Sequence, residues 1–312
     1  MKKILALVLV SFMVLSGCGS KNESTQTPEG NGSLKVGSAI INSVRTDNVG
    51  ANERDPENGK FESNVVYATV VIEEDKVKAV TIDTAQNEIK FSATEIAEFA
   101  AKGTKKELGE DYGMSKVPNG KGEWDKQIAA VEKYMVGKSV SELKADSAKS
   151  DLSSSVSMDI NGYFEVVKAA VENAVEVKGL VEFGQTSTVS GSNKDGKVQI
   201  NTVVTALGTD KDGKVVYSFV DETQQAAEIT GGEVVASEQM KTKGQQKEDY
   251  GMAQATKKLE WYKQVEEITK YLNGKASADL TSFDADIPSS VSIYSGNIKA
   301  TIDKAFKNLT KI

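Results

Sequence analysis

Glu110-Asp111-Tyr112-Gly113-Met114 recurs, residue for residue, as Glu248-Asp249-Tyr250-Gly251-Met252. An identity of this kind marks an internal duplication, and every element is read in pairs from here on. The residues downstream of each copy match too. Trp124, Ile128, Val131 and Met135 are spaced four, three and four apart, and so are Trp261, Val265, Ile268 and Leu272. That spacing is one face of an α-helix. Each helix then meets a Gly-Lys pair, Gly137-Lys138 or Gly274-Lys275, which signals its C-terminal stop. Farther on, Asp151-Leu152-Ser153-Ser154-Ser155-Val156-Ser157 matches Asp286-Ile287-Pro288-Ser289-Ser290-Val291-Ser292 in the pattern Asp-x-x-Ser-Ser-Val-Ser. A second helix comes next in each copy, with stripes of Phe164, Val167, Val171 and Ala174, and of Ile298, Ile302, Ala305 and Leu309.

Upstream of the repeated pentapeptide the pattern changes from helical to extended. Residues Val65 to Ile72 turn through Glu73-Glu74-Asp75 into Val77 to Ile82, and Val198 to Leu207 turn through Asp210–Gly213 into Val215 to Val220. These runs are rich in β-branched residues and joined by polar turns, so they predict β-hairpins. The copies agree again just after, as Asp83-Thr84-Ala85-Gln86 and Asp221-Glu222-Thr223-Gln224. Strands followed by helices predict an α+β fold. The expectation is a tandem repeat of two similar domains, 35–176 and 177–312, each an antiparallel β-sheet packed with helices and each burying its own core.

Outside the repeat, the N-terminus carries an address. Lys2 and Lys3 precede an apolar run from Ile4 to Leu15, too short to span a bilayer and suited to a signal peptide over residues 1–17. The run ends in Leu15-Ser16-Gly17-Cys18, which resembles the lipobox of bacterial lipoproteins. That resemblance implies cleavage before Cys18, diacylation of its thiol and anchoring at the outer face of the cell membrane, where two acyl chains hold a protein that one would not. Residues 18–34 are polar and rich in Gly, Ser and Thr, a composition that predicts a flexible tether.

Composition removes whole classes of chemistry. The chain has no histidine and a single cysteine, Cys18. Ser-His-Asp and Cys-His catalysis are therefore excluded, as are intrachain disulfides and the usual zinc and haem sites. A net charge of −7 with interspersed lysines argues against nucleic acid as a partner. A chain so poor in reactive side chains binds something or borrows a cofactor.

The serine clusters are the strongest candidates for function. Ser and Asp before a helix also serve as ordinary caps, and a duplicated cap could be inherited passively. The order Asp-x-x-Ser-Ser-Val-Ser, however, resembles the flavinylation motif of FMN-binding domains, Asp-x-x-Ser/Thr-Gly-Ala-Ser/Thr, with Ser-Val in place of Gly-Ala. In that family a flavin transferase links FMN through its phosphate to the last hydroxyl. The resemblance implies covalent FMN on Ser157 and Ser292, two per chain, with Asp151, Asp286, Ser154, Ser155, Ser289 and Ser290 completing the two motifs. The layout as a whole is similar to the two-domain flavinylated lipoproteins of Gram-positive extracellular electron transfer. An ester on a serine just before a helix would sit near free backbone N–H groups and the positive end of the helix dipole. Tyr112 and Tyr250 are candidates to stack on the isoalloxazine, or to pack beside a turn. Trp124 and Trp261 head apolar stripes and are expected in the core, while Lys102 to Lys106 and Lys241 to Lys247 are expected as solvated faces.

Two functions emerge as expectations. One is a membrane-anchored electron carrier, an electron-transfer protein more than an enzyme with its own substrate. It would take electrons from a membrane quinol or flavoprotein and pass them to extracellular acceptors such as ferric iron. The other is a non-redox ligand-binding or scaffold lipoprotein whose serines only cap helices. The resemblance also allows the cleaved signal peptide to serve as a pheromone.

Overall fold

Each copy opens with a long antiparallel meander. In the computed structural model, which describes residues 34–282, 287–293 and 296–312, the first copy comprises β1 (Leu34–Asp47), β2 (Gly59–Glu73) and β3 (Lys76–Phe91). Helices α1 (Lys105–Leu108), α2 (Trp124–Met135), α3 (Ala145–Asp151) and α4 (Asn161–Glu172) come next, and β4 (Val175–Val177) returns to pair with the start of β1. The second copy repeats this order. It has β5 (Glu182–Lys194), β6 (Lys197–Thr209), β7 (Val215–Thr230), a short β8 (Glu233–Ala236), α5 (Lys243–Gln246), α6 (Met252–Thr256), α7 (Trp261–Leu272), α8 (Gly296–Lys307) and β9 (Thr310–Lys311). Strand orders are β3-β2-β1-β4 and β8-β7-β6-β5-β9, with every ladder antiparallel. The chain is therefore α+β with two antiparallel sheets, each packed with helices. The expected signal peptide, Cys18, the expected tether before Leu34, and Asp286 lie outside the described residues.

The two hairpins form where β-branched runs predict them, but their strands extend well beyond those runs. The β2–β3 turn is Glu74-Asp75, both at positive φ (48° and 65°), and Asp195-Gly196 closes β5–β6 in the same way (52° and 82°). Two-residue turns of this hand match the twist of the flanking strands. Two strands, β1 and β5, lie outside the expected hairpins, and each pairs along its whole length with the strand after it. The expected junction at 176/177 falls inside β4.

Alternation splits each sheet into two faces. On one face of the first sheet, Ala68, Val70, Ile72, Val80 and Ile82 meet Trp124, Ile128, Val131, Met135, Phe164 and Val167. On one face of the second, Val203, Leu207 and Val220 meet Trp261, Ile268, Leu272, Ile298 and Ile302. All eight members of the two expected Trp-led stripes are buried, both Trp residues among them. Both Gly-Lys stops bond the helix end to the sheet: Gly137 N–H donates to Val77 O at 2.8 Å and Gly274 N–H to Val215 O at 2.8 Å.

The opposite faces of the two sheets pack on each other. Phe61, Ile89 and Phe91 meet Val198, Ile200, Ala227 and Ile229 at one end, while Val36 and Val71 meet Leu180 and Phe183 at the other. Between these apolar ends runs a buried polar seam. Thr69 donates to Gln185 Oε1 at 2.8 Å, Tyr67 to Ser187 at 3.2 Å, Tyr217 to Ser38 at 2.9 Å, and Ser63 to Gln225. Among the described residues, no helix is long and apolar enough to cross a membrane.

Candidate functional site

The matched segments converge at one place in each copy. After β3 the chain turns through Thr104, which caps α1 with a reciprocal Thr–Glu capping box, and Thr242 does the same for α5 with Gln245. Both turns are tied to the matched aspartates. Asp221 Oδ2 accepts from the Thr242 hydroxyl at 2.6 Å, and its Oδ1 accepts from Gly244 N–H at 2.9 Å. In the first copy, Asp83 Oδ1 accepts from Lys106 N–H at 3.2 Å. Burial pushes both carboxyls up, Asp221 to about 6, against the hydrogen bonds that lower them.

The repeated tyrosines are held next. Tyr112 donates its hydroxyl to Gln86 at 2.9 Å, and Tyr250 to Gln224 at 3.0 Å, so the second half of each Asp-x-x-Gln segment anchors the aromatic ring. A lysine lies over each ring: Lys105 Nζ is 4.7 Å from the Tyr112 centroid, and Lys243 Nζ is 5.3 Å from that of Tyr250. These lysines are not the expected solvated face. Lys243 is buried and paired with Glu222 at 2.8 Å. Burial lowers the Lys105 ammonium to about 8, with Glu62 and Asp83 acting in the other direction. Gly113 and Gly251 then end the Glu-Asp-Tyr turn at φ 77° and 71°, a backbone only glycine adopts cheaply.

Two residues missed from sequence in each copy fix the next stretch of chain. Glu123, at the head of α2, accepts from the Met114 N–H at 2.8 Å, the Ser115 N–H at 3.2 Å and the Ser115 hydroxyl. These bonds hold its carboxyl below the usual range, the Ser115 hydroxyl foremost. Glu260, at the head of α7, likewise accepts from Met252 and Ala253 N–H, both at 3.0 Å. Three residues after each Trp stands a fully buried glutamine, Gln127 or Gln264. A signal for all four was present in Glu123-Trp124-Asp125-Lys126-Gln127 and Glu260-Trp261-Tyr262-Lys263-Gln264, which share Glu-Trp-x-Lys-Gln.

Those glutamines reach the last serine of each motif. Gln127 Oε1 accepts from the Ser157 N–H at 2.7 Å, the Ser157 hydroxyl at 3.3 Å and the Met158 N–H at 3.3 Å. Gln264 Oε1 accepts from the Ser292 N–H at 2.6 Å and the Ser292 hydroxyl at 3.3 Å. Each amide nitrogen donates back to the chain just before the helix, to Gly122 O at 2.8 Å or Leu259 O at 2.7 Å, and also meets the sulfur of Met114 or Met252. Ser157 and Ser292 are nevertheless exposed. A lysine borders each motif: Lys121 N–H donates to Ser157 Oγ at 3.2 Å, and Lys258 Nζ to Ser289 O at 3.0 Å.

In the first copy the motif serines do not cap the next helix. The N-cap of α4 is Ile160, without a side-chain bond, and Met158, Asp159 and Ile160 separate Ser157 from the first helical residue. Ser153 and Ser155 instead donate backwards, to Ser150 O at 2.8 Å and Leu152 O at 3.3 Å, closing the end of α3, whose last residue is Asp151. The expected site at a helix N-terminus is thus replaced by a turn whose Ser157 and Met158 N–H groups are taken by Gln127. Ser154 is exposed in that turn, as Ser289 is in the other. Comparison of the chain with protein-family models, with curated proteins and with solved structures finds no match.

Proposed function

We propose that the chain is a lipid-anchored extracellular electron carrier with FMN esterified to Ser157 and Ser292. One observation carries the reading: in both copies the last serine of the motif is exposed while its backbone is pinned by a buried glutamine. A hydroxyl on a pinned backbone and open to solvent suits modification by a separate enzyme, even where, as at Ser157, its oxygen also accepts from one backbone N–H. The residues fit a flavin phosphate. The Lys121 backbone N–H reaches Ser157 Oγ and the Lys258 ammonium reaches Ser289 O, and a phosphodiester carries a single negative charge that accepts such donors. Tyr112 and Tyr250 pack on the same helix-side cores as Val156 and Val291, the residues just before the two serines. When bound, FMN supplies one- and two-electron redox chemistry, which the side chains of a histidine-free protein with one acylated cysteine do not.

The protein's own part is to hold two such groups on one folded chain and keep them at the membrane surface through Cys18. Covalent attachment prevents loss by dilution outside the cell. Donor and acceptor are set by that location: a membrane quinol or flavoprotein on one side and a soluble oxidant such as ferric iron on the other. The intact mass of the mature chain, purified from a host with a flavin transferase, tests this directly. Two added FMN groups are expected, one lost with Ser157→Ala and the other with Ser292→Ala. An unmodified, colourless parent would leave the binding or scaffold reading.

A further inference from the structure

We infer that Gln127 and Gln264 are positioning residues for the modification of Ser157 and Ser292. The inference rests on the flavin-acceptor reading and deepens it. In each copy a side chain with no exposed surface places one carbonyl oxygen against both the N–H and the hydroxyl of the same exposed serine. Burying an amide is costly unless its hydrogen bonds are made, and here they are made on both ends. The amide nitrogens are committed to Gly122 O and Leu259 O, which leaves the carbonyl facing the serine. The duplication makes the point twice. The loops between the repeated tyrosine turn and the helix differ in sequence and length (Met114–Gly122 against Met252–Leu259), yet the glutamine, its bond to the chain before the helix and its serine are the same.

The geometry has a chemical consequence. A hydroxyl that donates to Gln Oε1 turns its hydrogen inward; at Ser157 one lone pair accepts from the Lys121 N–H, which leaves the other for an incoming phosphorus. Esterification needs that presentation. Ser157 Oγ attacks the flavin-side phosphorus of flavin adenine dinucleotide; the new O–P bond replaces the P–O bond of the pyrophosphate, and AMP leaves. As the phosphorus approaches, the hydroxyl proton leaves Gln127 Oε1 for a base of the transferase while the Ser157 N–H stays on the glutamine, and nothing is oxidised or reduced. A glutamine fixing the serine lowers the conformational cost of reaching that arrangement. It touches neither flavin nor phosphorus, so its effect falls on the turnover of the transfer more than on docking of the two proteins.

The test uses the full chain purified free of flavin, carrying Ser292→Ala so that Ser157 alone reports, with a flavin transferase and flavin adenine dinucleotide. Incorporation is followed by intact mass. Gln127→Met keeps length and helix preference but removes the acceptor. It should lower kcat of the transfer at least tenfold with KM within threefold of the parent, at a melting temperature within a few degrees of it. Gln127→Glu keeps the shape and, when protonated, both a donor for Gly122 O and an oxygen facing the serine, so it should recover most of the rate as pH falls. Transfer to Gln127→Met at the parental rate would overturn the inference, and so would a folded Gln127→Glu as slow as Gln127→Met even at the lower pH. If Gln127→Met melts early, Gln127→Glu decides: near-parental transfer supports positioning, and loss of transfer in a stable protein refutes it. Failure of the parent to take up any flavin is a different result, and it removes the acceptor reading itself.

Discussion

At the residue scale, charge and hydroxyl groups make separable predictions. Asp221 is buried, accepts three hydrogen bonds and still has its carboxyl raised to about 6 because burial outweighs them. A folded value above the ordinary 3.8 means that the native state binds its proton more tightly than the unfolded chain does. Stability from this group is therefore full below pH 4 and is lost as pH rises through about 6, by roughly 3 kcal/mol. Asp221→Asn keeps an oxygen for the Glu222 and Gly244 N–H groups, both of which bond Oδ1. It should flatten that part of the pH–stability curve, measured by urea unfolding between pH 4 and 7; an unchanged slope would place the titration elsewhere. The serines behave oppositely. Ser157 and Ser292 are exposed, and Ser157 caps no helix, so Ser157→Ala and Ser292→Ala should each change stability by no more than about 0.5 kcal/mol. A folded, flavin-free double variant is expected, and cells carrying it should reduce ferric iron more slowly than cells with the parent. Ferric reduction at the parental rate would leave no role for the serines as acceptors.

At the scale of elements, the duplication carries its own closure. Gly37 in β1 and Gly184 in β5 lie under the ends of α4 and α8, where a Cβ would collide with Ala170 O or Asn308 O. Asn173 and Asn308, just past those helices, donate to Ser38 O and Gln185 O at 3.0 and 3.2 Å, one residue from each glycine. Gly37→Ala should therefore cost about 1–3 kcal/mol, because the obstructing atom is backbone and cannot turn away. Gly162→Ala, in the first turn of α4 with open space around it, should instead stabilise by about 0.5–1 kcal/mol. Denaturant midpoints of the pair decide; equal shifts would mean that α4 moves freely on the sheet. This closure was hidden in the sequence. The Trp-led helices were legible because four-three-four spacing survives on any helix with one buried face, and the hairpins because β2, β3, β6 and β7 contain β-branched runs. Strand β5, Glu-Phe-Gly-Gln-Thr-Ser-Thr-Val-Ser-Gly-Ser-Asn-Lys, shows no apolar alternation because it faces the polar seam with Gln185 and Ser187. The site was half legible for a related reason. A serine motif repeats in sequence order, whereas Gln127 and Ser157 meet only through the fold.

At the scale of the molecule, the question is whether two copies make two domains. Each has a helix-side core of its own, with no member drawn from the other copy. The opposite sheet faces share theirs, and the crossing is reciprocal. Phe99, in the segment after β3, packs on Gly191 of β5, where a Cβ would collide with its ring. The corresponding segment after β7 returns the contact: Val49 N–H donates to Gly232 O at 2.9 Å, and Asn42 Nδ2 to Met240 O at 2.7 Å. Cutting between the copies near residue 178 would strip cover from Phe61, Phe91 and Tyr67 in one half, and from Val198, Ile200 and Ile229 in the other, leaving broad apolar faces in water. It would also orphan the seam: Gln185, Gln225 and Thr69 would lose bonds made across it. The intact chain should accordingly melt in one cooperative transition over residues 34–312. The halves, expressed separately, should be poorly soluble alone and should form a 1:1 complex when refolded together, with the melting temperature of the mixture well above that of either. Each half keeps its own helix-side core, so the complex should assemble from partners that already hold part of their structure. Two halves that each stay monomeric when mixed, and melt as the parent does, would make the seam a mere contact. Ser157 and Ser292 would then sit on independent domains. A shared seam fixes the two serines in one frame, and their spacing becomes a property of the fold.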